Sequence, residues 1–335
     1  MSDTLFPFFN SNSDKVALVE GENKHTYSEV NDRINLFSSG ILGAKEDLNE
    51  ERIAFFLPAS LDYVTTMHGV WRAGGIAVPL NVASAVSELD HYLTCAKVTR
   101  LIAGTQYHDS LKGLCNSLKI ELLSVSDVMA AEPRALPLIN PERRAMMLFT
   151  SGTTNKPKGV VSTHKTICAQ ITTLITAWEW SERDVIPLFL PLHHIHGIIN
   201  ILSCGLWAGA TVHLFSKFDI PKISKQITHG TYNVFMAVPT IYVKLIQYFE
   251  TIEKDEVDKI CAGFSAMRLN ISGSAACPVK LFEQWKELTG QILLERYGMT
   301  EIGMGISNPY NGERRAGAVG QPLPGVQCQL FDEND

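Results

Sequence analysis

The chain has 335 residues, 29 Lys and Arg against 35 Asp and Glu, and a formal net charge of −6. At roughly 100–200 residues per domain this is room for two or three closely packed units; with 45% hydrophobic and 19% charged residues it is neither disordered nor fibrous. A mildly acidic chain without a Lys/Arg run is a poor candidate for a nucleic-acid or anionic-membrane binder, so an anionic ligand must be held by local positive groups.

Short apolar runs alternate with helical patterns. Lys15–Glu20 reads as a strand, Tyr27–Leu42 as a helix capped by Ser28, and Arg52–Leu57 as a buried strand. Leu61–Ala73 is a helix ended by Gly74 and Gly75; Ile76–Leu80 and Arg100–Ala103 are strands flanking a helix at Ser87–Ala96. A proline-rich segment, Ala131–Glu142, precedes a second series. It contains strands at Ala145–Thr150, Val185–Leu190, Thr211–Leu214, Val234–Val238 and Leu269–Ser272. Helices are expected at Thr163–Trp178, Ile198–Trp207, Ile220–His229, from Pro239, and at Val279–Thr289. The rhythm predicts an α/β protein: a first subdomain over 1–140, a second over 141–310, and short β elements from 311 to 335.

Seven scattered cysteines form no C-x-x-C pair, which argues against a zinc site or disulfide framework and for a reducing compartment. Met1–Asn10 carries no basic region, so the expected location is cytoplasmic. The apolar stretch Gly197–Phe215 is broken by polar residues and reads as a buried helix and strand, not a membrane span.

Four segments carry chemistry. Leu148–Lys165 runs from an apolar strand into four hydroxyls (Thr150, Ser151, Thr153, Thr154), with Gly152 among them and Lys158 soon after. Hydroxyls, loop amides and a lysine are the donors a polyphosphate needs. A Walker A loop is excluded, because Lys158 is preceded by Pro157 and followed by Gly159. Leu190–Gly197 places three histidines in four positions; with no acidic or cysteine neighbour, His194 reads as a neutral imidazole at a pocket mouth instead of a metal ligand. Leu269–Pro278 is a strand feeding a small-residue turn on which a planar ligand can lie. Glu295–Gly305 offers Tyr297, Thr300 and the carboxylate Glu301, which suits Mg²⁺ held together with phosphates.

In this order and spacing the segments resemble the adenylate-forming superfamily of acyl-CoA synthetases, nonribosomal-peptide adenylation domains and luciferases. TSGTTNKPKG looks like its phosphate loop, LPLHHIHG its histidine segment, ISGSAA its adenine platform and ERYGMTE its adenine and magnesium segment. One departure is Asn155, where the family loop usually has glycine. ISGSAA, ERYGMTEIGM, NPYNGERRAGAVGQPLPGV and VPTIYVKL look most like malonyl-CoA synthetases.

The resemblance implies a large N-terminal domain with two mostly parallel sheets flanked by helices, and the start of a small β-barrel subdomain. The family's ribose aspartate, hinge and small C-terminal domain with its adenylation lysine lie further along, so the chain is expected to be a truncated N-terminal portion. It further implies an ATP-dependent ligase that activates malonate or a related short dicarboxylate as an acyl-adenylate and passes it to coenzyme A. Thr150, Ser151, Gly152, Thr153, Thr154 and Lys158 would hold phosphates, and Glu301 would hold Mg²⁺. Gly273, Ser274, Ala275, Glu295, Arg296, Tyr297, Gly298, Met299 and Thr300 would line the nucleotide. His194, Lys244, Arg268, Ser274 and Met304 would face the acid, with Lys244 and Ser274 on its distal carboxylate. Another short- or medium-chain ligase and a non-catalytic adenylate-binding module are the alternatives.

Overall fold

The computed structural model describes residues 13–150 and 157–332. Its strands in chain order are β1 (Val16–Glu20), β2 (Asn23–Thr26), β3 (Arg52–Phe56), β4 (Ile76–Pro79), β5 (Arg100–Ala103), β6 (Glu121–Leu123), β7 (Arg144–Thr150) and β8 (Lys158–Thr163). They continue with β9 (Val185–Leu188), β10 (Thr211–Leu214), β11 (Val234–Ala237), β12 (Leu269–Ser272), β13 (Leu294–Met299), β14 (Gly303–Ser307) and β15 (Gln321–Pro322).

A six-stranded sheet has the order β6-β5-β3-β4-β7-β8, parallel except for β8, which turns back on β7. Along β3, Ile53 and Phe55 enter one apolar cluster while Ala54 and Phe56 enter another, so helices cover this sheet on both faces. A second sheet runs β2-β1-β10-β9 and a third β11-β12-β13-β14-β15. The second and third meet edge to edge where Asn233 N donates to Val185 O at 3.2 Å and Val185 N donates to Asn233 Oδ1 at 2.8 Å. The result is an α/β fold of mostly parallel sheets flanked by helices. Among the described residues the two-residue β15 closes no barrel.

The sheets cross the division expected at residue 140. β1 and β2 join β10 and β9, while β7 and β8 extend the sheet begun by β3 and β4. Local chemistry accounts for the other shifts. The helix Tyr27–Leu42 is capped by Thr26, not Ser28: Thr26 Oγ1 accepts from Glu29 N, and Glu29 Oε2 accepts from Thr26 N. Residues expected to open a helix at Thr163 instead end β8, and that helix runs His164–Ala177. The helix expected from Ile198 begins at His196 as a π-helical stretch, His196–Ser203, before an α-helical turn at Cys204–Ala208. Helices His108–Leu118 and Lys254–Ser265, and the hairpin β13–β14, join the predicted elements. No helix among the described residues is long and apolar enough to cross a membrane.

Candidate active site

The hydroxyl-rich segment is the connection of an antiparallel hairpin. Thr150 ends β7 and sits opposite Lys158, the first residue of β8. Ser151, Gly152, Thr153 and Thr154 lie outside the described residues. The return strand is fixed by His91, whose Nε2 lies 2.9 Å from Pro157 O. Tyr92 packs on Phe149 at 4.6 Å between ring centroids. A cavity of about 300 Å³ lies beside this root, with Tyr92, Thr150, Pro157, His193 and His194 on its walls. His91 and Tyr92 belong to the helix Val86–Cys95 and carry no motif signal; only packing brings them here.

The three histidines occupy different environments. His194 opens to solvent at the cavity mouth, yet neighbouring atoms crowd its ring and burial lowers its pKa. His193 stacks against it at 4.1 Å and is pushed down to about 4, by burial and then by His194. His196 is buried and held well below its ordinary value by burial, then by Arg296 and by His194. Its Nδ1 lies 3.1 Å from Ser274 Oγ.

The loop after β12 needs its glycine. A Cβ on Gly273 would stand 2.4 Å from the guanidinium carbon of Arg296, so only glycine lets the backbone lie against that side chain. Ser274 follows with φ +67°, the left-handed region, and with Ala275 is exposed. Arg296 beneath is 4% exposed; burial lowers its pKa to about 10, so it stays cationic at neutral pH. Its Nε and Nη2 have no hydrogen-bond partner among the described residues.

Glu295, expected at the nucleotide, is committed as a brace. Its carboxylate accepts from Cys277 N and Gly317 N, each at 3.3 Å, and burial raises its pKa. Arg268 is corrected more sharply. It precedes β12 and gives Nε and Nη2 to the two oxygens of Asp184 at 2.7 and 2.6 Å, and Nη1 to Trp178 O at 2.9 Å. Asp184 is 1% exposed, so this guanidinium neutralises a buried carboxylate and is not free to meet an acid substrate. Lys244 lies exposed on the helix Pro239–Phe249, in no ion pair among the described residues. The opposite face of that helix is buried and anchored by Tyr242 Oη donating to Ile271 O at 2.7 Å.

The end of β13 presents Tyr297 and Met299 to solvent, and the turn to β14 follows with a half-buried Thr300 and an exposed Glu301. Gln170 clamps its far side: its Oε1 accepts from Met304 N, and its Nε2 donates to Met304 O at 3.4 Å. Gly303 permits this approach, having φ +70° and standing where a Cβ would collide with Gln170. Met304 is buried next to Gly298. Glu301 is exposed and takes part in no ion pair among the described residues. A single uncommitted carboxylate fits a Mg²⁺ whose other ligands are phosphate oxygens and water.

A hairpin whose connection is rich in hydroxyls, a histidine segment, a small-residue loop and a carboxylate-bearing turn are the arrangement expected of adenylate-forming enzymes. The AMP-binding enzyme family matches residues 8–335, and the chain belongs to that family. The mitochondrial malonate–CoA ligase ACSF3 of Mus musculus is 38% identical over 340 residues, covering 96% of this chain and 58% of that protein. The malonate–CoA ligase of Arabidopsis thaliana is 36% identical over 311 residues, covering 86% of this chain and 51% of that protein. Among solved structures, apo MatB from Rhodopseudomonas palustris has a TM-score of 0.87 at 28% identity and covers 100% of this chain and 67% of that one. A malonyl-CoA ligase ternary product complex with methylmalonyl-CoA and AMP bound scores 0.83 at 29% identity, with 96% and 67% covered. The chain thus spans a little over half the length of the curated relatives it matches.

Proposed function

We propose that this chain carries the nucleotide and acid sites of an ATP-dependent acid–thiol ligase. The enzyme activates malonate, or a closely related short dicarboxylate, and passes it to coenzyme A. The observation that carries the reading is Arg296: a buried guanidinium with two nitrogens unpartnered among the described residues, beneath Gly273, whose charge acts on His196, which itself meets Ser274. A buried cation without a partner is costly, and a second carboxylate on the substrate is the group that neutralises it. This moves the anchor of the distal carboxylate from Lys244 toward Arg296, with Lys244 at the exposed rim.

In the first step a carboxylate oxygen of the acid attacks the α-phosphorus of ATP, forming the acyl-adenylate and expelling pyrophosphate. The thiolate of coenzyme A then adds to the acyl carbon, and AMP leaves with the electron pair of the broken C–O bond. The protein supplies position and charge. Thr150 and Lys158 at the hairpin root hold the β- and γ-phosphates, and Tyr297 packs on adenine opposite Gly273–Ala275. Ser274 and Arg296 fix the far end of the acid, while His194 stands at the cavity mouth. Mg²⁺, when bound by Glu301, supplies the charge neutralisation that lets an anionic nucleophile approach the triphosphate. The cytoplasmic location expected from the sequence remains part of this proposal. The name of the mouse relative places that protein in the mitochondrion, and seven free cysteines suit either reducing compartment.

The test is a panel of malonate, methylmalonate, succinate, acetate and hexanoate, read by acid-dependent AMP release, with Arg296→Met and Lys244→Met alongside wild type. Malonate should lead. Arg296→Met should cost malonate ~1.5–3 kcal/mol, the value of a charged hydrogen bond, and leave acetate unchanged. Lys244→Met should have a smaller effect of the same sign. A wild type that prefers a monocarboxylate overturns the substrate; equal losses on both acids in Arg296→Met overturn the anchor.

A further inference from the structure

Asn200 lies in the π-helical stretch, 1% exposed, and neither its carboxamide oxygen nor its nitrogen has a partner among the described residues. It lines a cavity of about 180 Å³. Ser162 of β8, Gln170 of the helix His164–Ala177, and Thr300 and Glu301 of the β13–β14 turn also line this space, between apolar walls that include Ile167 and Ile199. Leaving a buried amide unpaired costs ~1–3 kcal/mol, and a folded chain keeps one only where another group answers it. π-helical turns are likewise rare and occur mostly at functional sites. Both irregularities coincide at a residue that shares this cavity with the Thr300–Glu301 turn.

That turn is weakly held. Gln170 fixes Met304 beyond it, but no side-chain hydrogen bond among the described residues reaches Thr300 or Glu301. The cavity has room for water at ~30 Å³ per molecule, and Ser162, Asn200, Thr300 and Glu301 bring hydroxyl, carboxamide and carboxylate groups to its lining.

We propose that Asn200 is a positioning residue for Glu301. Waters held by its carboxamide bridge to the Thr300 hydroxyl and the Glu301 carboxylate, and so set the carboxylate that receives the Mg²⁺ of the nucleotide. The inference rests on the reading of Glu301 as the metal-holding residue. An amide whose partners are cavity waters adds little to the fold, which separates it from a side chain bonded within the core: replacing it should not destabilise the protein.

The experiment measures ATP binding by calorimetry across a series of free Mg²⁺ concentrations, with urea denaturation in parallel, on wild type, Asn200→Leu, Asn200→Ser and Glu301→Gln. Asn200→Leu, similar in size and unable to hold water, should be at least as stable as wild type. It should need about 10–100-fold more Mg²⁺ for the same ATP affinity, the range for residues acting through a metal ligand, with metal-free ATP binding unchanged. Asn200→Ser, which keeps a hydroxyl, should fall between. Lower stability of both variants, with Mg²⁺ dependence unaltered, makes Asn200 an ordinary core residue and overturns the proposal. A Mg²⁺ shift in Glu301→Gln without one in Asn200→Leu overturns the positioning role and leaves the metal reading standing. No shift in Glu301→Gln removes the metal reading, and the proposal with it.

Discussion

The imidazole Nδ1 of His196 lies 3.1 Å from the hydroxyl oxygen of Ser274, joining the π-helical stretch to the loop after β12 across 78 residues of chain. Because burial keeps His196 neutral, the contact is an ordinary hydrogen bond and not a charged one. Ser274→Ala should therefore raise the KM for malonate by roughly 2–13-fold, the equivalent of ~0.5–1.5 kcal/mol, and leave the KM for ATP unchanged. Ser274→Gly removes the same hydroxyl while relieving the left-handed backbone at φ +67°. Steady-state kinetics of the pair separate the two effects: equal losses assign them to the hydroxyl, and full recovery in the glycine variant assigns them to strain.

Acid should unfold this protein early. Burial holds His68 down to about 3 and His164, His193 and His213 to about 4, all below the ~6.5 of an unfolded histidine. Between these values the unfolded chain binds more protons, so the stability is complete above pH ~6.5 and is lost as pH falls toward 4. Each histidine contributes a slope of at most about 1.4 kcal/mol per pH unit. The urea midpoint followed by circular dichroism should fall across this window, and His164→Gln should flatten the fall. A midpoint that stays constant from pH 7 to 4.5 contradicts the assignment.

Lys158 stands at the hairpin root opposite Thr150, and Lys158→Ala should reduce kcat/KM for ATP by ~10–150-fold through one lost charged contact. The order of preference among acids should not move. A changed malonate-to-acetate ratio in this variant would place the lysine at the acid instead.

Arg268→Met should act on the fold alone. Removing it leaves the buried carboxylate of Asp184 with only the neutral donors Ser181 N and Asn233 Nδ2; loss of the cation from a buried pair typically costs ~3–5 kcal/mol. Arg268→Met combined with Asp184→Asn should recover part of that loss, and the acid preference of any folded variant should match wild type. Urea denaturation measures the first two statements and the acid panel the third.

The apolar runs that became β3, β4 and β11 were readable because a strand buried on both faces is a continuous hydrophobic word. β8 was not: KGVVST is half glycine and hydroxyl, and becomes a strand because β7 offers its edge. The same contrast holds at the site. Thr150, His194, Ser274 and Glu301 could be put forward from the sequence because their motifs are local. The commitments of Glu295 and Arg268 were not, since Gly317 and Asp184 lie 22 and 84 residues away. His91, Gln170 and Asn200 belong to no motif, and packing alone brings them to the site.

The hairpin β1–β2 imposes a waiting time on synthesis. Thr211 Oγ1 of β10 donates to Val16 O of β1 across 195 residues, so β1 leaves the ribosome long before its parallel neighbour exists. At ~5–20 residues per second the interval is ~10–40 s, during which a VALVE segment has only the short β2 and the helix Tyr27–Leu42 to shield it. Chaperones have their longest opportunity there, and pairing at such separation also slows refolding in dilute solution. Substitutions in Val16–Glu20 should lower the yield of soluble protein before they alter the activity of each molecule that folds.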